Sequence, residues 1–180
     1  MRKTVLYIAI SLDGFIADQE SSVDWLVGDQ SCDLEETSYD EFIKTIDTVI
    51  LGHTTYHQIV TELSPESWPY EGKQTYVFTH RAYPSHLEIE FVNEQDISVF
   101  IDELKRQEGK DIWICGGASI VNQCLNNDKI DRLHLTLIPC LLGNGIRLFE
   151  KQKQMKRFKL ISNSSYNGMA DVVYERIRED

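Results

Sequence analysis

The sequence predicts an α/β domain of three layers: a mostly parallel mixed sheet with helices on both faces, finished by a C-terminal antiparallel hairpin. Three observations carry this expectation. Strand-like and helix-like segments alternate along most of the chain, the order that builds parallel sheets through helical crossovers. The first strand-like segment, Thr4 to Leu12, is a near-continuous run of β-branched and aliphatic residues, which suits a strand covered on both faces. The last two strand-like segments, 158–166 and 171–177, flank Asn167-Gly168, a strong short-range signal for a tight hairpin. With 180 residues, 42% of them hydrophobic, the chain suits one domain spanning 1–180 with its own core.

Taken in order, Asp13-Gly14 ends the first strand, and Phe15 to Gly28 has no sustained period, so a long loop is expected there with Trp25 its conspicuous residue. Asp33 to Ile46 spaces Leu34, Tyr39, Phe42, Ile43 and Ile46 as one face of a helix. Thr48 to Leu51 is a short apolar strand, closed by Gly52. His53-Thr54-Thr55 then opens a helix running to about Leu63. After a loop, Ser64 to Gly72, the strand Gln74 to Thr79 ends in His80-Arg81, two potentially cationic groups at one strand end. Leu87 to Val92 alternates apolar and acidic residues like a half-exposed strand, and Asp96 caps a helix from Ile97 to Gln107. The apolar strand at Ile112–Cys115 runs into Gly116-Gly117 and a helix, Ala118 to Leu125, which Asn126-Asn127-Asp128 breaks. Asp131 to Ile138 alternates, with His134 and Thr136 on one face and Leu133, Leu135 and Leu137 on the other. A lone histidine there is more often structural than a ligand. Pro139 to Arg147 is a glycine-rich loop.

Two of these junctions share a construction: a strand ends, glycine removes the side chain where a ligand could meet backbone, and a helix begins with unpaired N–H groups that favour an anion. Gly52, followed by the hydroxyls of Thr54 and Thr55, is one, and Gly116-Gly117, followed by Ala118, Ser119 and Ile120, is the other. A GxGxxG fingerprint after the first strand is missing, so an ordinary dinucleotide motif is not expected. The four cysteines (Cys32, Cys115, Cys124, Cys140) are widely spaced and look like small hydrophobes rather than a disulfide framework, and no CxxC pair or His/Cys cluster suggests a metal site. A net charge of −11 argues against nucleic acid as partner, while leaving room for one local basic pocket. Neither a signal-peptide core nor an apolar run of about 18 residues is present, so a cytoplasmic protein without a membrane partner is expected.

Val49-Ile50-Leu51-Gly52-His53-Thr54-Thr55-Tyr56, Tyr76-Val77-Phe78-Thr79-His80-Arg81 and Ile114-Cys115-Gly116-Gly117-Ala118 resemble, in order and spacing, the three cofactor motifs of the dihydrofolate reductase fold. The segment Tyr7 to Ala17 resembles its opening strand. Within that superfamily, Ile138-Pro139-Cys140-Leu141-Leu142-Gly143-Asn144-Gly145-Ile146 is more similar to the reductase domain of riboflavin biosynthesis and its stand-alone bacterial relatives. The resemblance implies that NADPH is the cofactor. The Ala9 backbone and the Ile16 side chain would border the nicotinamide, Gly52, His53, Thr54 and Thr55 would hold the pyrophosphate, Thr79, His80 and Arg81 would meet the adenosine phosphate, and Gly116 to Ile120 would complete the site. It also implies a cis peptide bond between Gly116 and Gly117, and a homodimer. His53 stands where dihydrofolate reductases usually have arginine. Gln30 stands where they carry the substrate-binding carboxylate, five residues after the tryptophan, with Asp24 and Asp29 as the nearby candidates for a catalytic role.

The expected function is therefore an NADPH-dependent reductase that delivers hydride to a C=N or C=O bond of a small, heterocyclic substrate of pteridine or pyrimidine type, with dihydrofolate itself a poor one. The alternatives are reduction of the pyrimidine intermediate of riboflavin synthesis, a non-catalytic nucleotide-binding protein, and a purely structural module.

Overall fold

The computed structural model describes residues 1–29, 37–86, 88–93 and 95–178. Gln30, Cys32, the expected helical start from Asp33 to Glu36, and Leu87 lie outside the described residues. In chain order the elements are β1 (Thr4–Ser11), β2 (Phe15–Ala17), α1 (Thr37–Thr45), β3 (Ile46–Gly52), α2 (His53–Gln58) continuing as a π-helical turn (Ile59–Leu63), β4 (Gln74–Thr79), β5 (Ile89–Asn93), α3 (Ile97–Arg106), β6 (Asp111–Gly116), α4 (Ala118–Asn126), β7 (Arg132–Ile138), β8 (Ile146–Arg147), β9 (Phe158–Tyr166) and β10 (Met169–Arg176).

Eight strands form one sheet in the order β5-β4-β3-β6-β1-β7-β10-β9. The pairs from β5 to β7 are parallel, and β10 is antiparallel to both β7 and β9. This is the predicted mostly parallel mixed sheet with a terminal hairpin. Side chains alternate across it because successive Cβ atoms of a strand point to opposite faces. Leu6, Ile50, Ile112 and Ile114 pack with Phe100, Ile101 and Leu104 of α3 and with Ile120, Val121 and Cys124 of α4. Val5, Val49, Leu51 and Trp113 pack on the other face with Phe42 of α1 and with Ile59. The strands with both faces covered are those whose sequences lack alternation, as the burial of Leu6, Val49, Ile50 and Leu51 requires.

The local signals act as their chemistry dictates. The Asp96 carboxylate accepts from the backbone N–H groups of Ser98 (2.7 Å) and Val99 (3.2 Å), capping α3. Asn167 and Gly168 both have positive φ (48° and 72°), which a tight turn of type I′ demands. Two expectations need correction. The stretch from Phe15 is not all loop, and neither is 139–147, because β2 and β8 pair antiparallel with each other outside the main sheet. Their two or three residues are too few to show a period, and the contact that joins them, the Arg147 guanidinium over the Phe15 ring at 4.5 Å, lies between segments far apart in sequence. The helix after Gly52 also changes character, widening from α to π geometry at Ile59.

Candidate active site

The site arises where neighbouring strands part. β1 and β6 pair only as far as Leu6↔Ile114. Beyond that β6 stays with β3, pairing Gly116 to Leu51, while β1 stays with β7, pairing Ala9 to Thr136. A cleft of about 880 Å³ opens at the carboxyl ends of these strands, the usual ligand position in an open α/β sheet. Its size lies at the upper end of the range for small-molecule and cofactor sites, about 300–1,000 Å³.

One side of the cleft is backbone and hydroxyl. Gly116 has φ of +135° and is joined to Gly117 by a cis peptide bond, the bond that the resemblance implies. The ends of β3 and β6 approach so closely that a Cβ on Gly52 would lie 3.3 Å from Ile120 Cγ1, and one on Gly117 would lie 3.1 Å from Thr55 Oγ1. Gly117 is the N-cap of α4 and offers no side-chain acceptor, so the N–H groups of the helix's first turn are left to the cleft beside Thr55. Farther along, Thr79, His80 and Arg81 follow from β4, with the Arg81 amide donating to Thr79 Oγ1 at 3.2 Å. The His53 imidazole stacks on Tyr83 with 4.7 Å between ring centroids. Among the described residues the charged or chargeable side chains lining the cleft, apart from phenols and the Cys115 thiol, are His53, His80 and Arg81. In a chain of net charge −11, the described lining of the cleft thus carries the Arg81 guanidinium and no carboxylate.

The other side is aromatic. Tyr7 of β1, Tyr39 of α1, Trp113 of β6 and Tyr70 from the loop before β4 line it with Cys115. The rings of Tyr70 and Trp113 meet edge to face at 4.9 Å, and those of Tyr39 and Trp113 at 6.2 Å. The Tyr70 hydroxyl lies 3.6 Å from Cys115 Sγ. Burial pushes the Cys115 thiol up to about 11 and the Tyr70 phenol above its ordinary range, so both are protonated at neutral pH. Such surroundings suit a planar, uncharged ring, and the basic, glycine-lined side suits phosphates.

Every residue expected at the cofactor lines this one cleft: Ala9, Ile16, Gly52, His53, Thr54, Thr55, Thr79, His80, Arg81, Gly116, Gly117, Ala118, Ser119 and Ile120. Asp24 and Asp29 do not. Asp24 is exposed, its amide donating to Ser22 Oγ at 3.1 Å. The Asp29 amide donates to the Asn167 carbonyl at 3.0 Å, and its carboxylate sits against Gly168, so this residue packs on the β9–β10 turn. Local proximity to a tryptophan suggested both, but Trp25 itself turns away, its indole N–H donating to the Ser22 carbonyl, while its neighbours Val23 and Leu26 line the cleft. The aromatic side was missed as a site because its members come from distant segments; Tyr39 showed only as one of a helix's apolar positions. No group of His, Cys, Asp and Glu side chains that could hold a metal occurs among the described residues, and no helix among them is long and apolar enough to cross a membrane.

Comparison with known proteins agrees with this geometry. The family model of the RibD C-terminal domain matches residues 2–174. YwjB of Bacillus subtilis (strain 168) is 40% identical over 176 residues, covering 97% of this chain and 98% of that protein. A crystal structure from Shewanella sp. PV-4, of a protein named for riboflavin biosynthesis, superposes with a TM-score of 0.83 at 24% identity, covering 98% of this chain and 99% of that one. Dihydrofolate reductase from Enterococcus faecalis, complexed with NADP(H) and RAB-propyl, superposes with a TM-score of 0.65 at 15% identity, covering 97% and 96%. The fold is that of the dihydrofolate reductases.

Proposed function

The chain belongs to the family of the RibD C-terminal domain, and from that premise we propose that it is an NADPH-dependent reductase delivering hydride to a C=N or C=O bond of a small planar substrate. The observation that carries this reading is the meeting of three strand ends, at Gly52, Thr79 and Gly116, in one cleft with basic side chains at one side and aromatic ones at the other. NADPH is an anion at one end and a flat ring at the other, and the residues present fit it. Gly52, Thr54, Thr55 and the start of α4 would hold the pyrophosphate, His80 and Arg81 the adenosine phosphate, and Ala9, Ile16 and Gly116 to Ile120 the remainder. When bound, the reduced nicotinamide supplies the hydride. The chain's own contribution is to orient the acceptor against Trp113 and Tyr39, exclude water with Val23 and Leu26, and keep Tyr70 protonated as a hydrogen-bond donor.

The pyrimidine intermediate of riboflavin biosynthesis is the second reading of the substrate, favoured by the family match. The same proposal takes residues 1–180 as one domain working in the cytoplasm, as a homodimer. A thermal-shift screen of nucleotides tests the central part. A ligand confined to the native state raises stability by about 2.7 kcal/mol at a hundredfold excess over its dissociation constant, so NADPH must shift the midpoint upward. A screen in which no nicotinamide nucleotide does so would remove the reading, and binding without turnover of any carbonyl or imine would leave a nucleotide-binding protein.

A further inference from the structure

Resting on the reading of the cleft as an NADPH site, we propose that its aromatic end takes a planar heterocycle carrying no phosphate or other anionic group, so that a phosphoribosylated pyrimidine is not its substrate. Cations decide this, because a phosphate taken out of water needs charge-assisted hydrogen bonds in return. The chain has 18 lysines and arginines and five histidines. Residues 30–36, 87, 94, 179 and 180, which lie outside the described ones, include none of them, so every lysine, arginine and histidine of the chain has a described position. Of all these, Arg81, His80 and His53 alone line the cleft.

These three stand together at one end. His80 and Arg81 follow β4, and His53 opens α2 directly after β3, its ring stacked on Tyr83. The phosphates of the cofactor account for all three. The aromatic end lies across the sheet, with Trp113 and Cys115 on β6 and Tyr7 on β1. β4, β3, β6 and β1 are successive neighbours, and at about 4.8 Å between strands roughly 14 Å separates β4 from β1. Two further basic residues stand beside lining residues without lining the cleft themselves. Arg147, next to Ile146, keeps its guanidinium over the Phe15 ring and donates to the Asp13 carbonyl at 3.3 Å. His134 meets the Tyr7 ring edge-on, with its Nε2 3.5 Å from an Asp171 carboxylate oxygen. What the aromatic end offers is neutral. The Trp113 indole N–H is spent on the Tyr7 carbonyl at 3.0 Å, and the Tyr70 hydroxyl lies against the Cys115 thiol. A flat ring gains by burial against such faces and edges, whereas a phosphate there would lose its water with no cation in exchange. The net charge of −11 adds repulsion of any anion that the cleft does not pair locally.

Matched ligands with and without phosphate test this on protein saturated with NADP⁺, which fills the cationic end. Two pairs serve: 5-amino-6-(5-phosphoribosylamino)uracil against the same compound freed of its phosphate, and flavin mononucleotide against riboflavin. Equilibrium dialysis should show a phosphate-free member bound at least about tenfold more tightly than its phosphorylated partner. Equal binding within the pairs, tighter binding of a phosphorylated member, or no binding of either phosphate-free member would overturn the proposal. The same titrations with NADP⁺-saturated Arg81→Ala locate the discrimination. The preference should stay where it is in wild type, since Arg81 serves the cofactor. A further weakening of the phosphorylated members alone would place a substrate phosphate at Arg81 and overturn the assignment of the cations. Failure of wild type to bind NADP⁺ or NADPH at all, measured before any substrate is added, would instead strike the reading of the cleft on which the proposal rests.

Discussion

Gly117 shows how one missing atom defines the site. Its φ of −77° is open to any residue, so the constraint is space: a methyl group would lie 3.1 Å from Thr55 Oγ1, at the mouth of the first turn of α4. Gly117→Ala should therefore fold and melt close to wild type, yet lose at least about tenfold in NADPH affinity, or about 1.4 kcal/mol, by equilibrium titration of nicotinamide fluorescence. Unaltered affinity would move the pyrophosphate elsewhere. Asp13 acts by charge. Its side chain is partly exposed, and a hydrogen bond from Ser11 Oγ, against the opposing effect of desolvation, together with the amides of Gly143 and Leu142, lowers its pKa to about 2. Because the folded value is depressed, the stabilisation is complete above the unfolded value of about 3.9 and disappears as pH falls through about 2. Asp13→Asn should melt lower than wild type at neutral pH and with it at the acid end; parallel melting curves at both would show that the loop does not depend on this charge.

At the scale of elements, what could be read from the sequence follows from how local each cause is. The strand, glycine and helix junctions at Gly52 and Gly116-Gly117 are contiguous, and the cleft gathers both. The Asn167-Gly168 hairpin is legible because its turn needs two positive φ values that few residues accept. β2 and β8 were not legible, since their pairing joins residues about 130 positions apart and neither is long enough to alternate. The same holds for the aromatic side of the cleft. Tyr7, Tyr39, Tyr70 and Trp113 meet only because β1 lies beside β6 and α1 covers that face. Asp171 is the sharpest case: its sequence neighbours predict an edge hairpin, and only the register Ala9–Thr136–Asp171 brings its carboxylate toward the site.

At the scale of the whole molecule, β9 is an edge strand of the eight-stranded sheet among the described residues, with Leu160 45% and Ile161 50% exposed. A long open edge is a template for association, which supports the proposed homodimer. Light scattering after size exclusion should give twice the chain mass for wild type and the single mass for Leu160→Lys/Ile161→Lys; the same mass for both would place any interface elsewhere. The central claim is the orientation of a phosphate-bearing dinucleotide across the cleft, with its adenosine phosphate at Arg81 and its ring toward Trp113. It is tested most directly by calorimetric titration of wild type and Arg81→Ala with NADPH and with NADH. A charge-assisted hydrogen bond contributes about 1.5–3 kcal/mol, so wild type should bind NADPH at least about tenfold more tightly than NADH, and Arg81→Ala should erase most of that difference while barely changing NADH. Equal affinity of wild type for the two cofactors, or equal losses for both in Arg81→Ala, would contradict it.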